Sequence, residues 1–360
     1  MWEVSTGEGI TVAVIDSGVN PSSAALEGQV LPGIDESRRS GDAHDDYLGH
    51  GTAMAELIAG TGRDNSIQGL APGAKILPVR IEMEESSGKF SDGESAVAGA
   101  IRAAADSDAH IINMSFGDDR GGGKLEAEAV EYAASKGKLM FAGSGNDRQK
   151  VDGEDDYNFP ASFSEVASVG ALDSQNAAAE FSSQGKVDLA APGVGLPGWC
   201  DESFSSYCTN SGTSDASAIA SAAAALIWAE HPEWTANQVL RVMLETAGKP
   251  VDGEVSTRVG HGAIRPRAVL LEGKGNPGDP DQHPLLKPAE SAAPGEPGES
   301  GGGTERAGEP SDEDGDAADT VTVADPGGEG GVPVGLLVGA GVALAVVVAG
   351  GVTFAVRRRS

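Results

Sequence analysis

Short apolar runs alternate with alanine-rich helical stretches through the first 250 residues, and this rhythm restricts the fold more than any other feature of the chain. Residues 10–15 (ITVAVI), 75–80 (KILPVR), 110–115 (HIINMS), 138–142 (KLMFA), 166–172 (VASVGAL) and 186–190 (KVDLA) read as strands. Most are continuously apolar rather than alternating, as in strands covered on both faces. Between them, helical patterning runs through 50–60, 95–106, 125–135, 214–229 and 235–246. Strands alternating with helices of this length predict a mainly parallel sheet between two helical layers, an α/β domain. In such sheets, sites gather beyond the carboxyl ends of strands.

Three glycine-marked segments fall at those positions. Asp16 closes the first strand, in Ile15-Asp16-Ser17-Gly18; His50 opens a helix, in His50-Gly51-Thr52; and Ser214 opens another, in Gly212-Thr213-Ser214. A serine hydroxyl is inert at neutral pH until a base takes its proton, and the base needs a third group to fix its tautomer. Asp, His and Ser in this chain order are one of the known arrangements that meet the need. Each segment alone reads as a turn or a cap. Together they point to nucleophilic hydrolysis, with Ser214 as nucleophile, His50 as base and Asp16 as its orienting acid. Asn146, in the loop after the 138–142 strand, is placed to supply an oxyanion donor beside the Ser214 N–H.

Composition divides the chain. The whole carries 55 acidic and 25 basic residues, a net charge of -30, which excludes a nucleic-acid-binding body with its basic footprint. From 272 to 331 the chain is acidic, rich in proline and glycine and free of aromatic residues, the composition of a disordered spacer. Residues 332–356 contain no charge and would span about 37 Å as a helix, enough to cross a bilayer. Three arginines follow, within a tail of 357–360, and place that end in the cytoplasm and everything before 332 outside. The expected organisation is therefore a catalytic domain over 1–271, the spacer, a transmembrane helix and a basic tail. An external domain needs an export signal, and Met1 begins only nine residues before the first strand, so the reading frame is expected to extend upstream. An even cysteine count outside the cytosol predicts a disulfide between Cys200 and Cys208. Their spacing suits neither a redox CxxC nor a zinc site, and neither metal nor cofactor is expected.

Residues 10–270 resemble the subtilisin-like serine peptidases. The three segments above match that family's triad patterns, Ser144-Gly145-Asn146 matches its oxyanion asparagine, and Ile112-Asn113-Met114-Ser115-Phe116-Gly117 and Leu189-Ala190-Ala191-Pro192-Gly193 match further segments. The resemblance implies a subtilisin-like three-layer fold and a serine endopeptidase acting on polypeptides. It implies that Ser115, Phe116 and Gly117, with Ser144 and Gly145, line the substrate cleft. None is a charged group that would demand a basic or acidic P1 residue, so a neutral or small P1 side chain is expected. Acidic linker, single terminal helix and basic tail are similar to those of the mycosins, membrane-anchored proteases of type VII secretion in actinobacteria, whose secretion components would then be partners. Two positions depart from the family: Asp215 replaces a bulky apolar residue after the nucleophile, and Ala218 replaces a proline. Asp215 keeps open an alternative, a catalytically impaired scaffold that binds a peptide or a secretion component.

Overall fold

The computed structural model describes residues 1–83, 95–118, 122–147, 158–251, 253 and 255–286. Seven of its strands form one sheet: β1 (Thr11–Asp16), β2 (Ile34–Asp35), β3 (Lys75–Arg80), β4 (Ile111–Met114), β5 (Leu139–Gly143), β6 (Val166–Leu172) and β7 (Leu189–Pro192). Their order is β2-β3-β1-β4-β5-β6-β7, and every pairing is parallel. The helices are α1 (His50–Ala59), α2 (Ala96–Asp106), α3 (Lys124–Ser135), α4 (Thr213–Glu230), α5 (Ala236–Thr246) and the short α6 (Pro266–Leu270).

The strands pack on both faces, with the period of two that a pleated chain imposes. Val12 and Val14 of β1 join the core that includes α1, α4 and α5, while Ala13 and Ile15 join the core that includes α2 and α3. Leu139 and Phe141 against Met140 and Ala142 repeat the division on β5. The three-layer arrangement anticipated from the strand–helix rhythm is therefore the one observed. α4 lies in the middle of the first layer, and Ala216, Ala218, Ala220 and Ala222 to Ala225 are fully buried along it. Methyl-sized side chains let this helix approach strands closely, at little cost in side-chain entropy.

From β1 the chain crosses to the edge strand β2, comes back to place β3 between them, then passes to the other side of β1 to add β4 to β7 in turn. The order thus reverses between β1 and β4, and a crevice opens beyond their carboxyl ends. Asp16 ends β1 and Ser115 follows β4 at that crevice.

A second, two-stranded sheet stands apart. β8 (Val194–Trp199) and β9 (Tyr207–Ser211) form an antiparallel hairpin, and Cys200 and Cys208 are joined in a disulfide across its end. Trp199 stacks on Tyr207 with ring centroids 4.0 Å apart. Both rings reach Glu56 of α1, whose Oε1 accepts from Trp199 Nε1 (3.0 Å), Tyr207 Oη (3.3 Å) and Ser23 Oγ. Glu56 is fully buried, and burial pushes its carboxyl up, against the pull of these three donors.

Beyond Leu271 the chain does not leave the domain at once. Thr235 Oγ1 and Asn237 Nδ2 donate to the Pro280 carbonyl, Gln238 Nε2 to that of Gly278 and Arg241 to that of Gln282. The first residues of the expected spacer are thus held against α5. The remainder of that spacer, the expected membrane helix over 332–356 and the tail lie outside the described residues. Among the described residues no helix is long and apolar enough to cross a membrane.

Candidate active site

Asp16 is fully buried at the end of β1 and faces the first residue of α1. His50 Nδ1 lies 2.8 Å from Asp16 Oδ1 and 3.0 Å from Oδ2, with about a third of the imidazole exposed. Oδ1 also accepts from the Ser17 backbone N–H (2.8 Å), so the carboxylate is held before the histidine reaches it. The close approach of strand and helix requires Gly51. A side chain there would begin 2.1 Å from the Gly18 carbonyl oxygen and 3.0 Å from Asp16 Cβ.

Asp46, which sequence reasoning did not single out, organises this junction. It is buried, and its two oxygens accept from the N–H groups of Leu48, Gly49 and Thr52 and from the hydroxyls of Ser17 and Thr52, at 2.6–3.0 Å. It satisfies amides at the α1 N-terminus that a helix leaves unpaired, and through Ser17 it joins that terminus to Asp16. An aspartate four residues before a helix-opening histidine is the only sequence signal it leaves. Burial alone would push the His50 imidazole down; the charge and hydrogen bond of Asp16, then the charges of Asp215 and Asp46, prevail and lift it to about 9.

Ser214 comes to the same crevice from α4. Its hydroxyl donates to the Ser115 carbonyl (2.9 Å), and the Ser115 hydroxyl returns a bond to the Ser214 carbonyl (2.9 Å). No hydrogen bond joins Ser214 to His50 in this conformation; apo sites commonly leave such contacts open until substrate arrives. Behind the serine pair, fully buried Asn113 donates from Nδ2 to Ser115 Oγ (2.9 Å) and accepts from Ser217 Oγ (3.0 Å) and Ser221 Oγ (3.1 Å). This network fixes the first turns of α4 on β4. It also turns the Ser115 side chain inward, and the whole residue is only 1 % exposed, with its carbonyl taken up by the Ser214 hydroxyl.

Asn146 stands in the loop after β5. Its Oδ1 accepts from the Thr213 N–H (2.9 Å) and hydroxyl (3.1 Å), which fixes the amide and directs Nδ2 away from those groups. The position where a side chain would begin on Gly212 lies 3.6 Å from Asn146 Nδ2 and 3.7 Å from Ser214 N, so the two donors border one space. Asn146→Leu is expected to lower kcat by about 10²–10³-fold with little change in KM, because an oxyanion donor acts only as charge develops. Steady-state kinetics on a peptide substrate would check this, and a KM effect alone would refute the role.

Phe116 and Gly117 continue from Ser115, and Ser144 and Gly145 precede Asn146. Between the two glycines sits Asn158, a further residue that sequence reasoning passed over. Its Nδ2 donates to the Gly143 carbonyl (3.0 Å). A Gly117 side chain would begin 2.1 Å from that nitrogen, and one on Gly145 would begin 3.3 Å from Asn158 Cγ. Among the described residues no group of three or more His, Cys, Asp or Glu side chains is placed to hold a metal.

Residues 7–262 match the model of the subtilase family, Peptidase S8. This chain belongs to the subtilase family. Its relatives carry the names of serine proteases. The thermophilic serine proteinase of Bacillus sp. strain AK1 is 38 % identical over 229 residues, 63 % of this subtilase and 54 % of that protein. This chain thus spans about half the length of that relative. Among solved structures, MycP1 from Mycobacterium smegmatis is similar with a TM-score of 0.65 and 26 % identity, covering 78 % of this chain and 83 % of that one. The MycP3 protease from the type VII (ESX-3) secretion system gives 0.61 and 30 %, covering 75 % and 84 %.

Proposed function

We propose that this subtilase is an active serine endopeptidase that works through an acyl-enzyme on Ser214. The observation that carries the reading is the Asp16–His50 pair at 2.8 Å, set in the crevice where Ser214 and Asn146 also stand. A rotation about the Ser214 Cα–Cβ bond exchanges the Ser115 carbonyl for the imidazole. His50 Nε2 takes the hydroxyl proton as Oγ attacks the scissile carbonyl, and Asp16 holds the Nδ1 proton and stabilises the imidazolium. Asn146 Nδ2 and the Ser214 N–H receive the oxyanion. His50 then returns the proton to the leaving amine, and water repeats the cycle to release the acyl group. The extended segment Ser115 to Gly117 pairs with the substrate backbone on the acyl side. A fluorophosphonate probe tests the reading: it should label one serine, mapped to Ser214. A folded protein that takes up no probe would refute it.

Asn158, between Gly117 and Gly145, would narrow the pocket for the P1 side chain and suit small neutral residues. Asn158→Gly is expected to raise kcat/KM for leucine or phenylalanine at P1, relative to alanine, by roughly tenfold or more. A peptide library profile would check it, and an unchanged profile would remove Asn158 from specificity.

Similarity to MycP1 and MycP3, together with the acidic spacer and the charge-free 332–356 segment, supports a mycosin-type protease. In this reading it is anchored by that segment with its catalytic domain outside, the arginines of its tail inside, and type VII secretion components among its partners. Protease protection in intact cells tests the topology: a catalytic domain shielded in the cytoplasm would overturn it. Asp215 sustains the second reading, a scaffold that holds a peptide without cutting it. Secretion that persists in full after Ser214→Ala removes probe labelling would favour the scaffold.

A further inference from the structure

α4 opens with a carboxylate where negative charge has to develop. Asp215 is 3 % exposed, and its Oδ1 meets no hydrogen-bond partner. The position where a Gly212 side chain would begin lies 3.4 Å from Asp215 Oδ2, against 3.6 Å from Asn146 Nδ2 and 3.7 Å from Ser214 N. The carboxylate therefore borders the same space as the two oxyanion donors. Leaving an oxygen of a buried carboxylate without a donor is costly. This one is supported partly by the helix start on which it sits and leaves one oxygen bare.

We propose that Asp215 is a tuning residue of the peptidase, an anion built beside the oxyanion donors whose charge also reaches the base and confines turnover to alkaline conditions. The inference rests on the peptidase reading given above. Asp215 acts by its charge, both on His50 and on the space that receives the oxyanion. The charged groups that bear on His50 are Asp16 at the end of β1, Asp46 ahead of α1 and Asp215 on α4. The hairpin approaches the start of α1 with the Asp201 carbonyl, near Gly49, and engages Glu56 further along through Trp199 and Tyr207. Of the three carboxylates, Asp16 and Asp46 have a donor on each oxygen. Asp215 is the one with an unused oxygen.

The sign follows from charge. A neighbouring anion favours the imidazolium, so His50 becomes a free base only above its raised midpoint near 9, and the usable fraction falls tenfold for each pH unit below that. Burial pushes the Asp215 carboxyl itself up to about 6, with the charge of His50 pulling the other way, so Asp215 is anionic throughout the range in which His50 titrates. Neutralising it should lower the His50 midpoint and relieve the oxyanion space together.

The experiment compares the full chain with its Asp215→Asn variant, following the rate of fluorophosphonate labelling from pH 5 to 11. The acid limb is expected to move down by about one pH unit, with labelling at pH 7 about tenfold faster. Asp215→Leu should move it the same way, and Asp215→Glu should restore the wild-type limb. A limb that stays in place in both the asparagine and the leucine variants overturns the inference and leaves the peptidase standing. Absence of labelling in every form overturns the peptidase reading instead. The inference is then still decided by the imidazole resonances of His50, titrated in Ser214→Ala with and without Asp215→Asn: a lower midpoint in the double variant supports it and an unchanged one overturns it.

Discussion

Replacing Ser214 with alanine is expected to lower kcat by about 10⁶-fold, the size of the loss when subtilisin is deprived of its nucleophile or base. The fold should survive the change. The Ser214 hydroxyl contributes one bond, to the Ser115 carbonyl, while the reciprocal bond from Ser115 Oγ to the Ser214 carbonyl uses the backbone and persists. Asn113 keeps its hold on Ser217 and Ser221 as well. Peptide affinity should therefore stay within a fewfold of wild type, with a thermal midpoint close to the parent. Residual turnover within a hundredfold of wild type would mean that Ser214 is not the nucleophile.

Asp16→Asn is expected to cost about 10⁴-fold in kcat, for a reason specific to how the carboxylate is held. Asp16 Oδ1 accepts from the Ser17 N–H, so an asparagine would keep its carbonyl oxygen there. Its uncharged carbonyl oxygen would face His50 Nδ1 at the Oδ1 position, 2.8 Å away, while its amide nitrogen at the Oδ2 position, 3.0 Å away, would set an N–H donor against the same ring nitrogen. The carboxylate charge that stabilises the imidazolium is lost, and the competing donor weakens the tautomer that keeps Nε2 free. Kinetics on a peptide substrate would show the loss, and a rate within tenfold of wild type would remove Asp16 from the mechanism.

Much of this was legible in the sequence. β1, β3, β4, β5 and β6 fall within about two residues of the apolar runs, and α1 to α5 likewise follow the helical patterning, because both faces of the sheet are covered and burial alone sets the pattern. β2, two residues long, leaves no pattern to read. The β8–β9 hairpin was missed as strands because only part of it is buried; its aromatic residues serve Glu56 rather than a sheet core. Asp16, His50, Asn146 and Ser214 announce themselves as residue types with chemistry, each beside glycine or at an element end. Asp46 and Asn158 do not, since their roles exist only once distant segments meet: five donors around one carboxylate, and one amide between two glycines. The inward turn of Ser115 was equally out of reach, because it depends on which face of α4 meets β4.

That last contact carries an evolutionary implication. Asn113 belongs to the strand that leads into the segment proposed to pair with substrate, yet its Oδ1 accepts from two serines of the helix that carries the proposed nucleophile. Under the proposed roles, recognition and reactivity are mechanically coupled, and a substitution that shifts β4 to admit a new substrate would also re-aim Ser214. Lineages altering their diet of peptides would find fewer dead ends in the walls around Asn158 than along this strand, and laboratory selection for new specificity should accumulate its changes there first.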